Sequence, residues 1–178
     1  MNSGIFSGPI RERKRQNMHK IVVFSDSHGT SLPMEDVTAE EDPDQIIFLG
    51  DGWSDSETLS MAFPQIPMIR VPGNCDYQPY EECERLVELY GKRIFLCHGH
   101  TLRVKNGPEA LIARGHRFGA DIALYGHTHR PYCSMEGSMW VMNPGPMNRY
   151  DRKSYGLITI DRDGKTYCQI RLYGNAAH

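Results

Sequence analysis

Short runs of aliphatic residues alternate with polar segments in the first half of the chain, and each run has the length of a β-strand. β-Branched residues are frequent in these runs, which predicts buried strands at 20–25, 45–49 and 67–71. The intervening segments, 31–41 and 54–62, contain acidic residues that favour the start of a helix, so we expect both to be helical. The first half therefore predicts a β-α-β-α-β unit.

Strands dominate the second half of the chain. Runs at 85–90 and 93–97 flank a predicted turn at Gly91-Lys92 and indicate a hairpin. Residues 107–118 predict a helix with Pro108 early, where a missing N–H does no harm. Further strands are predicted at 122–124, 132–135, 139–142, 155–160 and 166–172. This order of elements predicts an α/β fold with two sheets packed together and helices outside.

Polar clusters that contain glycine follow five of the predicted strands. Loops at the carboxyl ends of strands in α/β sheets converge, and ligand sites form there. Glycine allows the backbone to turn sharply at such a site. The clusters are Asp26-Ser27-His28-Gly29, Gly50-Asp51-Gly52, Gly73-Asn74-Cys75-Asp76, His98-Gly99-His100 and Gly126-His127-Thr128-His129.

The side chains in these clusters are those that bind divalent metal ions. Five of the eight histidines lie within them, and Asp, Asn and His suit hard or borderline cations. One cluster alone fits a helix cap, a turn or a packed histidine, so the prediction depends on the joint pattern. The candidate ligands are too many for one ion and predict two: Asp26, His28, Asp51, Asn74, His98, His127 and His129.

A pair of bound cations indicates chemistry on phosphate esters. Two ions held about 3.5–4 Å apart clamp a phosphorus centre for in-line displacement, and a water that bridges them loses a proton near neutral pH. Asn74 is a neutral ligand, which limits the negative charge that would repel an anionic phosphate. We therefore expect a small phosphate-ester substrate that is attacked by a metal-bridging hydroxide.

The order of the five clusters, D-x-H, G-D, G-N-x-D, H-G-H and G-H-T-H, resembles that of the calcineurin-like metallophosphoesterases. The resemblance runs from about Met18 to Leu172, and the G-N-C-D form is similar to the small bacterial and archaeal phosphodiesterase branch. It implies an αββα sandwich of two mixed β-sheets flanked by helices, with a dimetal site at the strand ends. The implied activity is that of a metal-dependent phosphodiesterase.

The resemblance also divides the ligands between the two ions. The first ion would be held by Asp26, His28, Asp51 and His129. The second would be held by Asp51, Asn74, His98 and His127, so that Asp51 bridges both ions. His127 and His129 would thus serve different ions, and we expect an extended segment to place both on one side.

Catalysis is assigned on this basis to Asp51, Asn74, His98 and His100. For His100, a position beside the ligands or the phosphate and a plain packed position in a loop are equal alternatives. Cys75 replaces the histidine of the G-N-H-D form found in many larger relatives. A thiol with an ordinary pKa near 8.5 is a poor substitute for an imidazolium acid, which favours diesters or activated leaving groups. Asp76 is expected to orient a neighbouring group.

Composition limits the other possibilities. The 178 residues fit one domain, which we place at 18–178 after a tail at 1–17 that is disordered or an upstream extension, or else a basic docking arm. The five cysteines form no C-x-x-C pair, which favours the cytoplasm. No apolar stretch is long enough to span a membrane. A formal net charge of -2 gives no support to nucleic acid as a partner.

Several alternatives stay open. A scaffold branch of the same family keeps the fold with degraded metal sites, but none of the predicted ligands is missing from this chain. A metal-dependent nuclease would share the metals and would need a basic groove. Manganese is the expected metal, with nickel, iron or zinc as alternatives, because mixed nitrogen and oxygen ligation accepts all of them. A homo-oligomer is possible.

Overall fold

The computed structural model describes residues 18–78 and 80–174. Within these ranges the strands are β1 (Met18–Phe24), β2 (Gln45–Phe48), β3 (Met68–Arg70), β4 (Glu84–Leu89), β5 (Lys92–Cys97), β6 (Ile122–Leu124), β7 (Tyr132–Glu136), β8 (Met139–Asn143), β9 (Ser154–Asp161) and β10 (Thr166–Leu172). The helices are α1 (Leu32–Glu41), α2 (Trp53–Ala62), α3 (Glu109–Arg117) and a 3-10 turn at Val104–Asn106. The predicted tail at 1–17 lies outside the described residues.

The strands form two five-stranded sheets, as far as the chain is described. The first sheet has the order β10-β9-β1-β2-β3, with β1, β2 and β3 parallel and β9 antiparallel to both β1 and β10. The second has the order β4-β5-β6-β8-β7, with β5, β6 and β8 parallel and antiparallel strands at both edges. Both sheets are mixed, which confirms the predicted fold class.

Alternate residues of the central strands pack against different layers because successive side chains point to opposite faces. Ile21 and Val23 of β1 contact the second sheet through residues such as Ile94. Their neighbours Val22 and Phe24 pack beneath the outer helices α1 and α2. Full burial of one such aliphatic or aromatic side chain contributes about 1.5–3 kcal/mol. The continuous apolar pattern of these strands is thus explained by burial on both faces.

The second sheet is covered on its outer face by α3. Phe95, Ala123 and Val141 point towards Leu111 of this helix and form a separate buried cluster with it. The complete order of layers is α1 and α2, first sheet, second sheet, α3, which confirms the αββα sandwich. Within the described residues no helix is both long and apolar enough to cross a bilayer.

Two local predictions are corrected. The β4–β5 turn lies at Tyr90-Gly91, because Leu89 pairs with Lys92 and leaves a two-residue loop. Both loop residues have positive φ (51° and 74°), which suits the twist of a tight hairpin, and Tyr90 stacks on His19 with ring centroids 3.9 Å apart. The helix predicted at 107–118 starts only at Glu109, since Gly107 has a φ of 134°, outside the helical region.

Candidate metal centre

The five polar clusters meet at one edge of the sandwich, beyond the carboxyl ends of β1, β2, β3, β5 and β6. Backbone hydrogen bonds tie the loops together: the N–H of Asp26 donates to Gly50, and the N–H of Gly126 donates to His98. The N–H of His28 donates to the carbonyl of Asp51. Loops that are distant in sequence therefore present their side chains to a common space, as predicted from the strand ends.

Left-handed backbone is concentrated at this edge. Eight non-glycine residues of the described chain have positive φ, and five of them are predicted ligands, namely Asp26, His28, Asp51, His127 and His129. Such conformations are uncommon outside glycine and accumulate at functional sites. The prediction of an extended segment at His127 and His129 is therefore wrong, because φ is 65° and 55° at these residues. The left-handed turns send the two rings to different groups.

The first donor group consists of Asp26, His28 and His129, whose ligand atoms all lie within 4.8 Å of one another. Oδ1 of Asp26 is 3.2 Å from Nε2 of His129 and 4.0 Å from Nε2 of His28. The two imidazole nitrogens are 3.2 Å apart. Asp26 is fully buried and the histidines are half-buried, so the group opens to solvent on the side of the rings.

The second donor group consists of Asp51, His98 and His127. Oδ2 of Asp51 is 3.4 Å from Nε2 of His98, and the rings of His98 and His127 meet edge to face with centroids 5.0 Å apart. Asp51 also lies close to the first donor group, because the same Oδ2 is 3.8 Å from Nε2 of His28. One carboxylate oxygen thus lies between imidazole nitrogens of both groups.

Hydrogen bonds behind the donors fix the atoms that face the centre. The Nδ1–H of His98 donates to the carbonyl of Leu49 at 2.7 Å, and Nδ1 of His129 lies 2.9 Å from Oδ2 of Asp151. These contacts leave Nε2 of both rings directed inward, the arrangement usual for metal-binding histidines. Oδ1 of Asp51 accepts the N–H of Cys75 at 2.8 Å, which leaves Oδ2 for the centre.

The donor set fits divalent cations. Oδ1 of Asp26 and Nε2 of His98 are buried and have no hydrogen-bond partner among the described residues. Leaving a buried polar atom unsatisfied costs about 1–3 kcal/mol, so such atoms in folded proteins usually have a partner. Carboxylate oxygens and imidazole nitrogens that converge in this way suit Mn²⁺, Fe²⁺, Ni²⁺ or Zn²⁺. A cation would satisfy both atoms at once.

The charges of the centre are strongly coupled. Burial opposes ionisation of Asp51, but the neighbouring imidazole of His98 lowers the pKa of this carboxyl. The nearby carboxylate of Asp26, helped by that of Asp151, outweighs burial and raises the pKa of His129 to about 9. Burial and the neighbouring charge of His98 lower the pKa of His127 to about 4. The His127 ring is therefore neutral at neutral pH, the form that binds a metal.

Asn74 and His100 lie around the second group. Asn74 is exposed, and its side-chain amide donates to Sγ of Cys75 at 3.3 Å; its role as a ligand stays a prediction. The ring of His100 lies beside His98 and His127, with centroids 5.6 Å and 6.2 Å away, and its Nδ1 is buried without a partner. Burial and the charge of His98 lower the pKa of His100.

Cys75 is closer to the centre than its sequence position alone suggested. Its Sγ forms a third group of possible ligands with His28 and Asp51. Partial burial of the sulfur and the Asp51 carboxylate raise the pKa of the thiol to about 11. At neutral pH the thiol is thus protonated in the metal-free protein and is a weaker acid than a free cysteine.

Asp76 orients the backbone around Asp51, as the sequence suggested in general terms. Its Oδ2 accepts the N–H groups of Asp51 and Gly73 at 2.8 Å, and its Oδ1 accepts those of Gly52 and Trp53 at 2.9 Å. Four hydrogen bonds to one carboxylate lock the loop after β3 to the start of α2. The G-N-x-D cluster therefore has a structural anchor in its last residue.

Three supporting residues were missed by the sequence analysis. Asp55 accepts hydrogen bonds from Ser27 and Gly29, Asn143 donates to the carbonyl of Gly126, and Asp151 holds the ring of His129. Asp151 lies in the loop before β9 without any local pattern that marks it. Asn143 opens a Pro/Gly loop that predicts only a turn, so no sequence signal distinguished it.

Two glycines are required by close approach. A Cβ on Gly73 would lie 2.1 Å from Oδ1 of Asp51 and 2.5 Å from its backbone nitrogen. A Cβ on Gly126 would lie 1.9 Å from Oγ of Ser25, the hydroxyl that donates to Asp26 at 2.6 Å. These glycines allow the carboxylates of both donor groups to sit directly against neighbouring backbone.

Comparisons with known proteins agree with this architecture. The sequence profile of the calcineurin-like phosphoesterase superfamily domain matches residues 19–163. The chain is 28% identical over 172 residues to phosphodiesterase YfcE of Escherichia coli, covering 81% of this chain and 89% of the relative. The crystal structure of a Streptococcus pneumoniae protein described as a predicted phosphoesterase superposes with a TM-score of 0.67 at 26% identity, covering 87% of this chain and 98% of that one.

The same fold occurs in a protein that is named for vacuolar protein sorting. The structure of vacuolar protein sorting 29 from Cryptosporidium parvum superposes with a TM-score of 0.68, covering 88% of this chain and 98% of that one. The identity is 17%, so this likeness concerns the fold alone.

Proposed function

The chain belongs to the calcineurin-like phosphoesterase superfamily, and on this premise we propose that it is a phosphodiesterase that depends on two divalent metal ions. The observation that carries the proposal is the position of one atom, Oδ2 of Asp51. It lies 3.8 Å from Nε2 of His28 and 3.4 Å from Nε2 of His98, between the two donor groups. A carboxylate in this position suits a bridge between two cations.

Each donor group would hold one ion. Asp26, His28 and His129 supply the first group, and His98, His127 and Asn74 would supply the second, with Asp51 shared. When bound, such a pair of ions polarises the phosphoryl oxygens and activates water for in-line attack. The protein's own part is to keep the inward atoms fixed. The contacts of His98 with Leu49 and of His129 with Asp151 support this role.

Cys75 supports a preference for diesters. The departing alcohol of an unactivated monoester needs a proton, and a thiol whose pKa is raised to about 11 supplies it poorly. His100, close to His98 and His127, is the group we assign to phosphate contact beside the second ion. Diesters with good leaving groups make the smallest demand on a proton donor, so we propose them as the substrate class.

We further propose that the bound metal is manganese and that the protein lies in the cytoplasm. All five cysteines are free thiols, which supports a reducing compartment. The donors include carboxylate, imidazole and an amide, which suits manganese and equally admits nickel, iron or zinc. A pure scaffold role finds support in the fold likeness alone. The buried, unpartnered Oδ1 of Asp26 and Nε2 of His98 instead favour a retained metal site.

A panel of phosphate esters tests the proposal. The full chain, loaded separately with Mn²⁺, Ni²⁺, Zn²⁺ and Fe²⁺, is assayed with bis(p-nitrophenyl) phosphate and with glycerol 2-phosphate, an unactivated monoester. We expect turnover of the diester and little turnover of the monoester. Absence of diester turnover with every metal, in protein that holds the ions, would contradict the proposal.

A further inference from the structure

A cleft of about 460 Å³ adjoins the metal centre. His28, Asp51 and Cys75 line its inner end, the start of α2 from Gly52 to Asp55 forms one wall, and residues 75–78 form the other. This volume is in the range of sites for small ligands. Because His28 and Asp51 belong both to this lining and to the donor groups, the cleft is open to an ester group of a phosphate held at the centre.

The walls of the cleft are held together from within. Asp76 accepts the N–H groups of Gly52 and Trp53 from one wall and that of Gly73 from the loop that carries the other. The cleft is therefore formed before a ligand arrives, which reduces the entropy lost on binding. The same carboxylate fixes the chain direction immediately before Tyr77.

The charge of the cleft disfavours a second anionic group. Among the described residues that line it, none is lysine or arginine, whereas Asp51, Asp55 and Asp76 are acidic. Asp55 and Asp76 are engaged by backbone and hydroxyl donors. A further phosphate would find no cation here, so the group that fits is uncharged.

Tyr77 is the aromatic side chain left available in the cleft. It is 89% exposed, and no hydrogen bond or ring contact from the described residues engages it. Trp53, by contrast, is buried, donates through Nε1–H to Glu57 and is covered by the guanidinium of Arg70 at 4.3 Å. Trp53 is thus a fixed wall, and Tyr77 is free to stack on a ligand. Gln78 offers an adjacent amide for polar edges.

We propose that this cleft binds an uncharged ester group of the substrate that carries a planar aromatic ring of the nucleobase class. The ring would stack on Tyr77. The inference rests on the proposed phosphodiesterase function and adds the chemical class of one ester group of the diester. An exposed ring at the mouth of a preformed cleft gains most from a flat partner, and such stacking tolerates different bases because each has an aromatic face.

The test compares two ligands that differ only by a base. Binding of adenosine 5′-monophosphate and of ribose 5-phosphate to the Mn²⁺-loaded full chain is measured by calorimetry and by inhibition of bis(p-nitrophenyl) phosphate hydrolysis. We expect the nucleotide to bind about tenfold more tightly, in keeping with the stacking of one base. Tyr77→Ala should abolish this difference, and Tyr77→Phe should keep it.

Tyr80→Ala is the matched control, because Tyr80 is 98% exposed and does not line the cleft. This variant should keep the full preference for the nucleotide. Equal affinities in the wild type, or a preference that survives in Tyr77→Ala, would overturn the proposal. Diester turnover without a base preference contradicts the cleft assignment alone. A base preference by calorimetry without any diester turnover contradicts the phosphodiesterase proposal instead.

Discussion

Oδ1 of Asp26 and Nε2 of His98 lie 4.0 Å apart, and both are buried without a hydrogen-bond partner among the described residues. They come from loops after β1 and β5, in different sheets. Two unsatisfied atoms that face each other destabilise the metal-free protein, each by about 1–3 kcal/mol. Binding of a cation removes this cost, so metal binding and folding stability are expected to be linked.

Metal ions are therefore expected to stabilise the fold. Mn²⁺ at about 100 times its Kd should add about 2.7 kcal/mol per bound ion to the free energy of unfolding, measured by urea unfolding with Mn²⁺ and with a chelator. Asp26→Asn should lose most of the gain because the amide is a weaker ligand. Asp163→Asn, an exposed change in the β9–β10 turn, should keep it. An unchanged unfolding midpoint on adding metal would contradict the linkage.

Gly73→Ala should displace Asp51 in the metal centre. The added Cβ meets Asp51 at Oδ1 and at its backbone nitrogen, and backbone cannot move aside as a flexible side chain can. We expect a loss of about 1–3 kcal/mol in unfolding free energy and a weaker affinity for Mn²⁺, measured by metal titration. Gly174→Ala, where the added Cβ meets no atom within 4 Å outside its chain neighbours, should leave metal affinity unchanged. Wild-type affinity in Gly73→Ala would show that Asp51 is not held as described.

Cys75→His should shift the ratio of monoester to diester turnover. An imidazole at this position protonates a leaving oxygen far better than the thiol, and positioned acid catalysis contributes about 10²–10⁴-fold. We expect kcat/KM for glycerol 2-phosphate, an unactivated monoester followed by phosphate release, to rise at least about tenfold relative to bis(p-nitrophenyl) phosphate, whose leaving group needs no proton. The control is Cys83→His, at another exposed cysteine outside the donor groups. An unchanged ratio in Cys75→His would refute the explanation of diester preference.

Part of the folding stability is expected to depend on pH through the ionisation of Glu41. Burial opposes its ionisation, but hydrogen bonds from Tyr155 and Lys20 and the charge of Arg171 lower its pKa below the ordinary 4.5. Because the folded-state pKa is depressed, its stabilisation is fully present above about pH 4.5 and is lost as the pH falls through the lower folded-state value.

Glu41→Gln should therefore cost about 1–3 kcal/mol at pH 7 and flatten the decline of stability below pH 4.5. Urea unfolding at pH 7 and at pH 3.5 measures both effects. Glu40→Gln changes an exposed neighbour on the same helix and should alter neither value. Equal losses from Glu41→Gln at the two pH values would mean that its charge is not what stabilises the fold.

The strands and the meeting of the clusters were predictable because burial on both faces leaves an unbroken aliphatic run. Runs such as 45–49 end at the polar residues that the sheet edge brings together. The direction of each side chain was harder to predict from the sequence. Left-handed φ values at His127 and His129 depend on the tertiary hydrogen bonds of their loop, and spacing alone wrongly indicated an extended segment.

Supporting residues were the part that local sequence could not indicate. Asp151 reaches His129 across 22 positions of sequence, and Asn143 reaches the carbonyl of Gly126 across 17. Such contacts depend on how the β7–β8 hairpin and the loop before β9 close over the centre. An isolated Asp or Asn in a loop has many ordinary roles, so its partner becomes visible only in the fold.

The ion content of the purified chain tests the central claim most directly. Elemental analysis after saturation with Mn²⁺ and removal of free metal should give two ions per chain in the wild type. Asp51→Asn should give clearly fewer, because the shared carboxylate serves both donor groups, while Asp163→Asn should again give two. A wild-type chain that holds no ion or a single ion, or an Asp51→Asn variant that holds two with unchanged affinity, would contradict a centre built around Asp51.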